Sequence, residues 1–235
     1  MKKRLFITFS LLGMLAACSS PSNQETDKKE DSKPVEETVL QDEDKEETSA
    51  EVTKLKLAAM TFEDYVKLNS KEVIEGIFGA DNMKEGSSSY QEGEVRYKHT
   101  IVTNPATTHE VKYLWDEDGS LSFVEASHYK YDENFEVQGT QSLESECGIS
   151  LGMPLAELVT WNGSDIRFSG FGWDYAGGVL VEQNTKLADC PVILNLDVNY
   201  DDMTSNITGD RELNTENEEV KNANIFVGSF TFDVD

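Results

Sequence analysis

The sequence predicts an α+β fold, in which short helices pack on one face of antiparallel β-meander sheets after a disordered N-terminal tether. Three observations predict it. Residues 19–53 contain no aromatic residue, whereas aromatic residues are frequent afterwards. Short stretches with helical periodicity end at glycines. Each of these is followed by several short segments in which apolar and polar residues alternate, as in half-buried strands.

The N-terminus has the layout of a secretory signal. Lys2-Lys3-Arg4 precedes an apolar run, Leu5 to Ala17, that is shorter than the about 20 residues of a membrane span. The run ends Leu15-Ala16-Ala17-Cys18, which resembles the bacterial lipobox. That resemblance implies a signal peptide at 1–17 and a mature N-terminal Cys18 carrying acyl chains such as palmitate, which anchor a protein stably when two or three are present. The alternative is an ordinary cleaved signal with a chance cysteine.

The segment 18–57 is expected to be a disordered acidic linker. It is rich in Glu, Asp, Lys, Ser and Thr, and it cannot bury enough apolar surface to offset its ordering entropy. About forty flexible residues span on the order of 35 Å. A surface helix from Val35 to Val52 is the alternative, but its apolar positions form no consistent stripe.

The first module, 58–146, is predicted to begin with two helices. One starts at Thr61 with Asp64 as a capping-box acid, and the other runs from Ser70 to a stop at Gly79. The apolar positions expected to face inward are Phe62, Tyr65, Val66, Val73, Ile74, Ile77 and Phe78. Strands are predicted at Glu94–Val102, His109–Trp115 and Ser120–Lys130, the last two joined by the turn Asp116–Gly119.

The second module, 147–235, repeats this order. Pro154 stands near the start of a helix that ends at Asn162-Gly163. Strands are predicted at Asp165–Tyr175, Val179–Gln183, Val192–Asn199 and Ile225–Val234. Residue identity between the halves is slight, so the recurring order alone indicates two similar modules.

The segment Gly148–Gly163 resembles a motif of a known family. The order Ile149, Gly152, Met153, Glu157, Leu158 is similar to the helix-start motif of SmpA/OmlA-type outer-membrane lipoproteins, and the β-lactamase-inhibitor protein has a related tandem architecture. With Gly-Phe-Gly-Trp-Asp-Tyr-Ala-Gly at 170–177, the region also resembles uncharacterised bacterial envelope proteins that carry a G-F-x-W-D-Y-x-G block. The resemblance implies two-layer modules whose open sheet face binds proteins, and it implies no enzyme.

Two cysteines remain after the lipobox cysteine. Cys147 and Cys190 form an even pair in an exported chain, which favours one disulfide over two separate buried thiols. Their separation lacks the C-x-x-C spacing of a redox-active pair.

The charge excludes nucleic acid as a partner. Residues 58–235 hold 33 acids and 11 bases, a net charge of −22, which leaves no basic face. Neither cofactor nor metal is predicted. His99, His109 and His128 lack zinc-site spacing. The acidic pairs in Asp116–Gly119 and Asp201-Asp202 are interpreted as solvated turns rather than Ca²⁺ ligands.

The aromatic block offers a candidate binding surface. In a continuous strand, Arg167, Phe171, Trp173 and Tyr175 would share one face, with Gly170 and Gly172 on the other. If a helix approaches the glycines closely, the aromatic row faces outward and forms a contact surface. If the glycines mark a bend or bulge, the aromatic row lies in the core, as aromatic residues usually do.

These observations predict a lipid-anchored bacterial envelope protein that acts by contact with another envelope protein. It would lie in the outer membrane of a Gram-negative host, or otherwise at the outer face of the cell membrane. A lipoprotein that binds a small ligand or Ca²⁺ is the second hypothesis. An envelope hydrolase is the third, although no catalytic motif supports it.

Overall fold

A computed structural model of the chain describes residues 53–90, 93, 95–173 and 175–234, all within the unit 42–235. The predicted signal, Cys18 and the linker up to residue 52 lie outside the described residues. Residues 53–58 are helical, so the end of the predicted linker, 53–57, is not unstructured. Leu57 packs against the core, and its carbonyl accepts a hydrogen bond from Asn104 Nδ2 at 2.8 Å, which holds this segment on the fold.

The remaining elements are short helices and strands. In chain order they are α1 Phe62–Val66, α2 Lys71–Phe78, β1 Met83–Tyr90, β2 Val95–Thr103, β3 Glu110–Trp115, β4 Leu121–Ser127, β5 Tyr129–Tyr131, β6 Val137–Thr140, α3 Leu155–Asn162, β7 Arg167–Ser169, β8 Val179–Leu180, β9 Ile193–Val198, β10 Glu212–Asn214, α4 Glu218–Asn222 and β11 Ile225–Asp233. The predicted mixed α+β class with antiparallel sheets is confirmed.

The main sheet has six antiparallel strands in the order β1-β2-β3-β4-β11-β9. The last strand of the chain, β11, lies between β4 and β9, so the sheet joins strands from both sides of the predicted boundary at 146/147. Two similar modules are therefore not confirmed. The other labelled strands form a three-stranded sheet, β10-β7-β8, and a separate hairpin, β5-β6.

One face of the main sheet carries the hydrophobic core. The pairing register places Val102, Val111, Tyr113, Val124 and Phe230 on this inner face, and all five are 1% exposed or less. The buried apolar residues of all four labelled helices belong to the same core cluster: Phe62, Tyr65, Ile74, Phe78, Leu155, Leu158 and Val220. Apolar burial on one face is sufficient to hold an antiparallel sheet, so the opposite face is free for polar residues.

Local helix signals worked well. The Thr61 N–H donates to Asp64 Oδ2 at 3.1 Å, and Ser70 Oγ accepts from the Val73 N–H, as the capping patterns predicted. The inward set was partly wrong, because Val73 is 44% exposed and Ile77 is 40% exposed. Only one stripe of the short helix α2 reaches the sheet, and Ile74 and Phe78 occupy it.

The predicted disulfide is confirmed. Cys147 and Cys190 are bonded, with their Cα atoms 5.9 Å apart and a separation of 43 positions in sequence. Both cysteines pack against the core cluster. The bond ties the segment before α3 to the end of the 3-10 turn Lys186–Asp189, which precedes β9.

Candidate functional site

The predicted aromatic row does not form one surface. Phe171 is in the core and 2% exposed, Trp173 is half-buried, and Tyr175 is 67% exposed. Trp173 Nε1 donates to the Gly170 carbonyl at 2.7 Å, and its ring lies 5.3 Å from that of Tyr175. Arg167 forms a two-contact ion pair with Glu212, at the exposed edge of the small sheet.

The row is broken because the strand is shorter than predicted. β7 ends at Ser169, and the chain then turns through Gly172, whose φ is +81°. Strand alternation therefore fails at Phe171, which pairs with Thr208 across an isolated parallel bridge and faces the core. The predicted strand Asp165–Tyr175 is wrong after Ser169, because the chain turns there instead of continuing as a strand.

The glycines in this block allow backbone contacts, not contact with a helix. A Cβ on Gly170 would stand 2.6 Å from the Gly209 carbonyl oxygen. A Cβ on Gly177 would collide with the backbone of Leu196 in β9. The Gly177 carbonyl accepts the Leu196 N–H at 2.8 Å, and Gly178 bridges to Asn195. The block therefore docks the small sheet against the outer edge of β9.

A groove of about 830 Å³ lies elsewhere, on the open face of the main sheet. The register places every second residue of β1 and β2 on this face, and Lys112 and Glu125 continue it on β3 and β4. The side chains of this floor are Lys84, Ser88, Tyr90, His99, Ile101, Lys112, Glu125 and Ser127. The wall and roof come from Tyr129, Tyr131, Asp132, Glu133 and Phe135 of the β5-β6 hairpin.

The floor of the groove is polar and internally bonded. Tyr90 Oη donates to Glu125 Oε2 at 2.7 Å, and Lys112 Nζ lies 3.4 Å from the same oxygen. Ser88 Oγ and His99 Nδ1 are 2.8 Å apart. Burial, and after it the charge of Glu125, raises the pKa of Tyr90 far above its ordinary value, so the phenol remains a neutral donor.

His99 lies beside Ser88 in the groove floor. Burial and the nearby charge of Lys112 lower the pKa of its imidazole, which favours the neutral ring. Within the described part of the chain, Ser88 is the one hydrogen-bond partner of the ring, and no carboxylate orients its other nitrogen. A serine beside an unoriented imidazole is an incomplete nucleophile–base pair. The pair is equipped to donate and accept hydrogen bonds to a bound molecule.

Aromatic side chains close one end of the groove floor. The rings of Tyr90, Tyr97 and Phe123 meet edge to face, with centroids 5.1–5.7 Å apart. Leu114 lies on the same face and is fully buried. The open face thus has a small apolar layer of its own at this end, and the polar groups lie beside it.

The β5-β6 hairpin reaches across the open face to the far edge of the sheet. Lys84 Nζ on β1 contacts Glu133 Oε1 at the hairpin tip at 2.8 Å. Gln141, just after β6, donates to the carbonyls of Glu110 and Ser127 and fixes the base of the hairpin. Phe135, at the tip, has φ of +63° and is 86% exposed.

Most of the remaining sequence candidates make structural contacts, although the buried Nδ1 of His109 has no hydrogen-bond partner among the described residues. His128 Nδ1 lies 2.9 Å from the Gln141 carbonyl. Asp118 Oδ1 accepts from the Ser120 N–H in the β3–β4 turn, and Asp202 Oδ2 accepts from the Asn224 N–H. Over the residues that the structure describes, no group of three His, Cys, Asp or Glu side chains is arranged to hold a metal ion.

The groove was missed in the sequence because two of its elements were missed. β1 contains Gly86 and three serines, which have poor strand propensity. The hairpin had a usable signal: Tyr129-Lys130-Tyr131 alternates before the turn-forming Asp132-Glu133-Asn134, and Val137 follows.

Comparison with known proteins finds no matching family, no matching curated protein and no matching solved structure. None of the helices in the described ranges has the length and apolar character needed to cross a membrane.

Proposed function

We propose that this protein is a lipid-anchored bacterial envelope protein that binds another envelope protein and has no catalytic activity of its own. Cys18 carries the lipid, and the acidic linker separates the folded part from the membrane. The contact surface is the β5-β6 hairpin together with the groove beneath it. The resemblance to SmpA/OmlA-type and β-lactamase-inhibitor-like modules, whose open sheet face binds proteins, supports the same face.

The observation that carries this proposal is the exposure of apolar side chains on the hairpin. Phe135 is 86% exposed, Val137 is 54% exposed and Tyr131 is 49% exposed. Three large apolar side chains on one short hairpin, at the rim of a groove, are typical of interaction surfaces. Phe and Tyr are enriched in the central parts of protein interfaces.

Small-ligand binding is the second candidate. The groove volume of about 830 Å³ falls in the range of small-molecule sites. Its floor presents a phenol, an imidazole, a hydroxyl, an ammonium group and a carboxylate within a short distance of one another. The aromatic pair Trp173 and Tyr175 remains a further predicted contact, now without Phe171.

The anchor is tested by mass spectrometry of protein extracted from membranes. The N-terminal peptide should begin at Cys18 and carry fatty acids, and Cys18→Ala should release the protein into the soluble fraction. An unmodified cysteine, or cleavage at another residue, contradicts the lipoprotein assignment.

The contact surface is tested by photocrosslinking in the producing cells. A photoreactive phenylalanine analogue is placed at Phe135 and, as the matched control, at Tyr200, an aromatic side chain that is 85% exposed outside the groove. We expect a discrete adduct with one protein from position 135 and none from position 200. Equal labelling from both positions, or no adduct from position 135, counts against the hairpin as the contact surface.

A further inference from the structure

Among the residues that the structure describes, the main sheet has one covered edge and one open edge. At the β9 edge, Leu196 donates its N–H to Gly177, and Asn195 bridges to Gly178. At the other edge, β1 pairs with β2 on one side, and no described residue pairs with its outer side. In an antiparallel pair, alternate residues direct N–H and C=O away from the partner, so half of the eight residues of β1 present unpaired backbone groups.

The open edge lacks the usual features that prevent strand pairing. Proteins blunt edge strands with proline, bulges, very short strands or charged side chains. β1 contains no proline, and its eight residue pairs with β2 run without a register shift. Its two charged side chains are already in ion pairs, Lys84 with Glu133 and Glu85 with Lys71. The centre of β1 is Gly86 followed by three serines, which leaves the backbone accessible.

Resting on the proposed function, we infer that β1 binds an extended, basic segment of the partner protein by strand addition. Unpaired groups along a strand edge are matched by an extended backbone, which adds main-chain hydrogen bonds. Residues 58–235 carry a net charge of −22, which favours a cationic segment over an acidic one and disfavours a second copy of this chain.

The groove gives this added strand its side-chain contacts. Lys84, Gly86 and Ser88 of β1 lie on the open face and line the groove. Alternate side chains of an added strand would lie on that same face, beside the hairpin tip with Phe135 and Glu133. The edge and the hairpin are therefore two sides of one binding site, in which the backbone supplies affinity and the hairpin supplies selectivity.

Hydrogen–deuterium exchange with defined peptides tests the inference. The probe is an acetylated octapeptide of alternating lysine and valine, and the controls replace lysine by glutamate or methylate the backbone nitrogens of alternate residues. The lysine peptide should slow exchange of β1 amides by about tenfold or more at saturation, and both controls should leave it unchanged. No protection of β1 by the lysine peptide, or equal protection by the glutamate peptide, overturns the inference.

Two neighbouring proline substitutions provide an internal control. Ser87→Pro and Ser88→Pro each remove one backbone N–H. Because successive residues of β1 direct their N–H groups alternately toward β2 and toward the open edge, one variant loses a hydrogen bond within the sheet and the other loses only an N–H of the open edge. The variant that keeps the melting temperature of the parent chain should bind the lysine peptide about tenfold more weakly or worse. Ser87→Ala, which keeps every backbone N–H and alters a side chain on the side of the strand away from the groove floor, should keep full binding. If the stable proline variant binds normally, strand addition is refuted.

The two proposals fail in different ways. If position 135 crosslinks to a partner but β1 gains no protection from that partner or from the peptide, strand addition is wrong and the hairpin surface stands. If neither result is obtained, both are wrong. Protection of β1 that increases with protein concentration in the absence of peptide would identify a second copy as the occupant and would overturn the basic-segment inference.

Discussion

Gly177 and Gly172 offer a matched test of how the aromatic block works. Both have positive φ, +69° for Gly177 and +81° for Gly172, and both lie in the turn between β7 and β8. They differ in their surroundings. A Cβ at Gly172 meets nothing within 4 Å, whereas a Cβ at Gly177 would collide with the backbone of Leu196. Alanine at each site therefore separates backbone strain from steric exclusion.

The expected losses of unfolding free energy follow from these contacts. Alanine at positive φ costs about 1 kcal/mol, and this applies to both variants. At Gly177 the new methyl group must also displace β9, which adds about 1–3 kcal/mol as overpacking does. Separation from β9 breaks the hydrogen bond from the Leu196 N–H, worth about 1 kcal/mol. We expect about 1 kcal/mol for Gly172→Ala and about 3–5 kcal/mol for Gly177→Ala.

Urea denaturation followed by tryptophan fluorescence measures both losses, with the parent chain as reference. Equal m-values would show that the denatured states are comparable. If Gly172→Ala and Gly177→Ala lose the same free energy, the turn does not dock on β9, and the steric explanation of this glycine is wrong. A loss at Gly177 of about 1 kcal/mol or less would refute it in the same way.

Three further predictions follow from buried groups. Replacing Cys147 and Cys190 by serine should cost about 4 kcal/mol for a loop of 43 residues, and urea curves of the reduced parent chain should match the double variant. Burial raises the pKa of Glu63, so ionisation of its carboxyl group opposes folding, and the stability of the parent chain falls as the pH rises through that pKa. The stability of Glu63→Gln relative to the parent should therefore increase over this pH range. A stability difference that does not change with pH would contradict this linkage. In the same assay, Phe171→Ala should lower the free energy of unfolding by about 3–5 kcal/mol, whereas Tyr175→Ala should lower it by less than about 1 kcal/mol. Similar losses for the two variants would contradict a buried Phe171 and an exposed Tyr175.

The sequence was informative where structure is determined by nearby residues. The caps at Thr61 and Ser70 and the helix end at Gly163 depend on contacts within one turn of helix, so α1, α2 and α3 were located, whereas α4 and the helical residues 53–58 were not predicted. Alternation likewise located β2, β3, β4, β9 and β11 to within a few residues, because a half-buried strand shows its inner face in its sequence.

Longer-range features were not predictable in this way. β1 is a strand because it pairs with β2 over eight residues, not because Gly86 and the serines favour extended backbone. The position of β11 between β4 and β9 depends on the pairing order of strands far apart in the chain, which the alternation within each strand does not specify. The groove exists only once the hairpin folds back across the sheet, so its residues come from separate elements with no common motif.

The two faces of the main sheet explain why the core could be predicted from the sequence and the groove could not. The inner face is bound to the helices, and Tyr113 Oη donates to the Tyr65 carbonyl within that interface. Substitutions there change packing and are strongly constrained. The open face makes mostly polar contacts, and its ion pair between Lys84 and Glu133 is exposed and screened by salt. Such a face tolerates residue changes that leave folding intact, and it is therefore the face on which selectivity for a partner can be adjusted independently of stability.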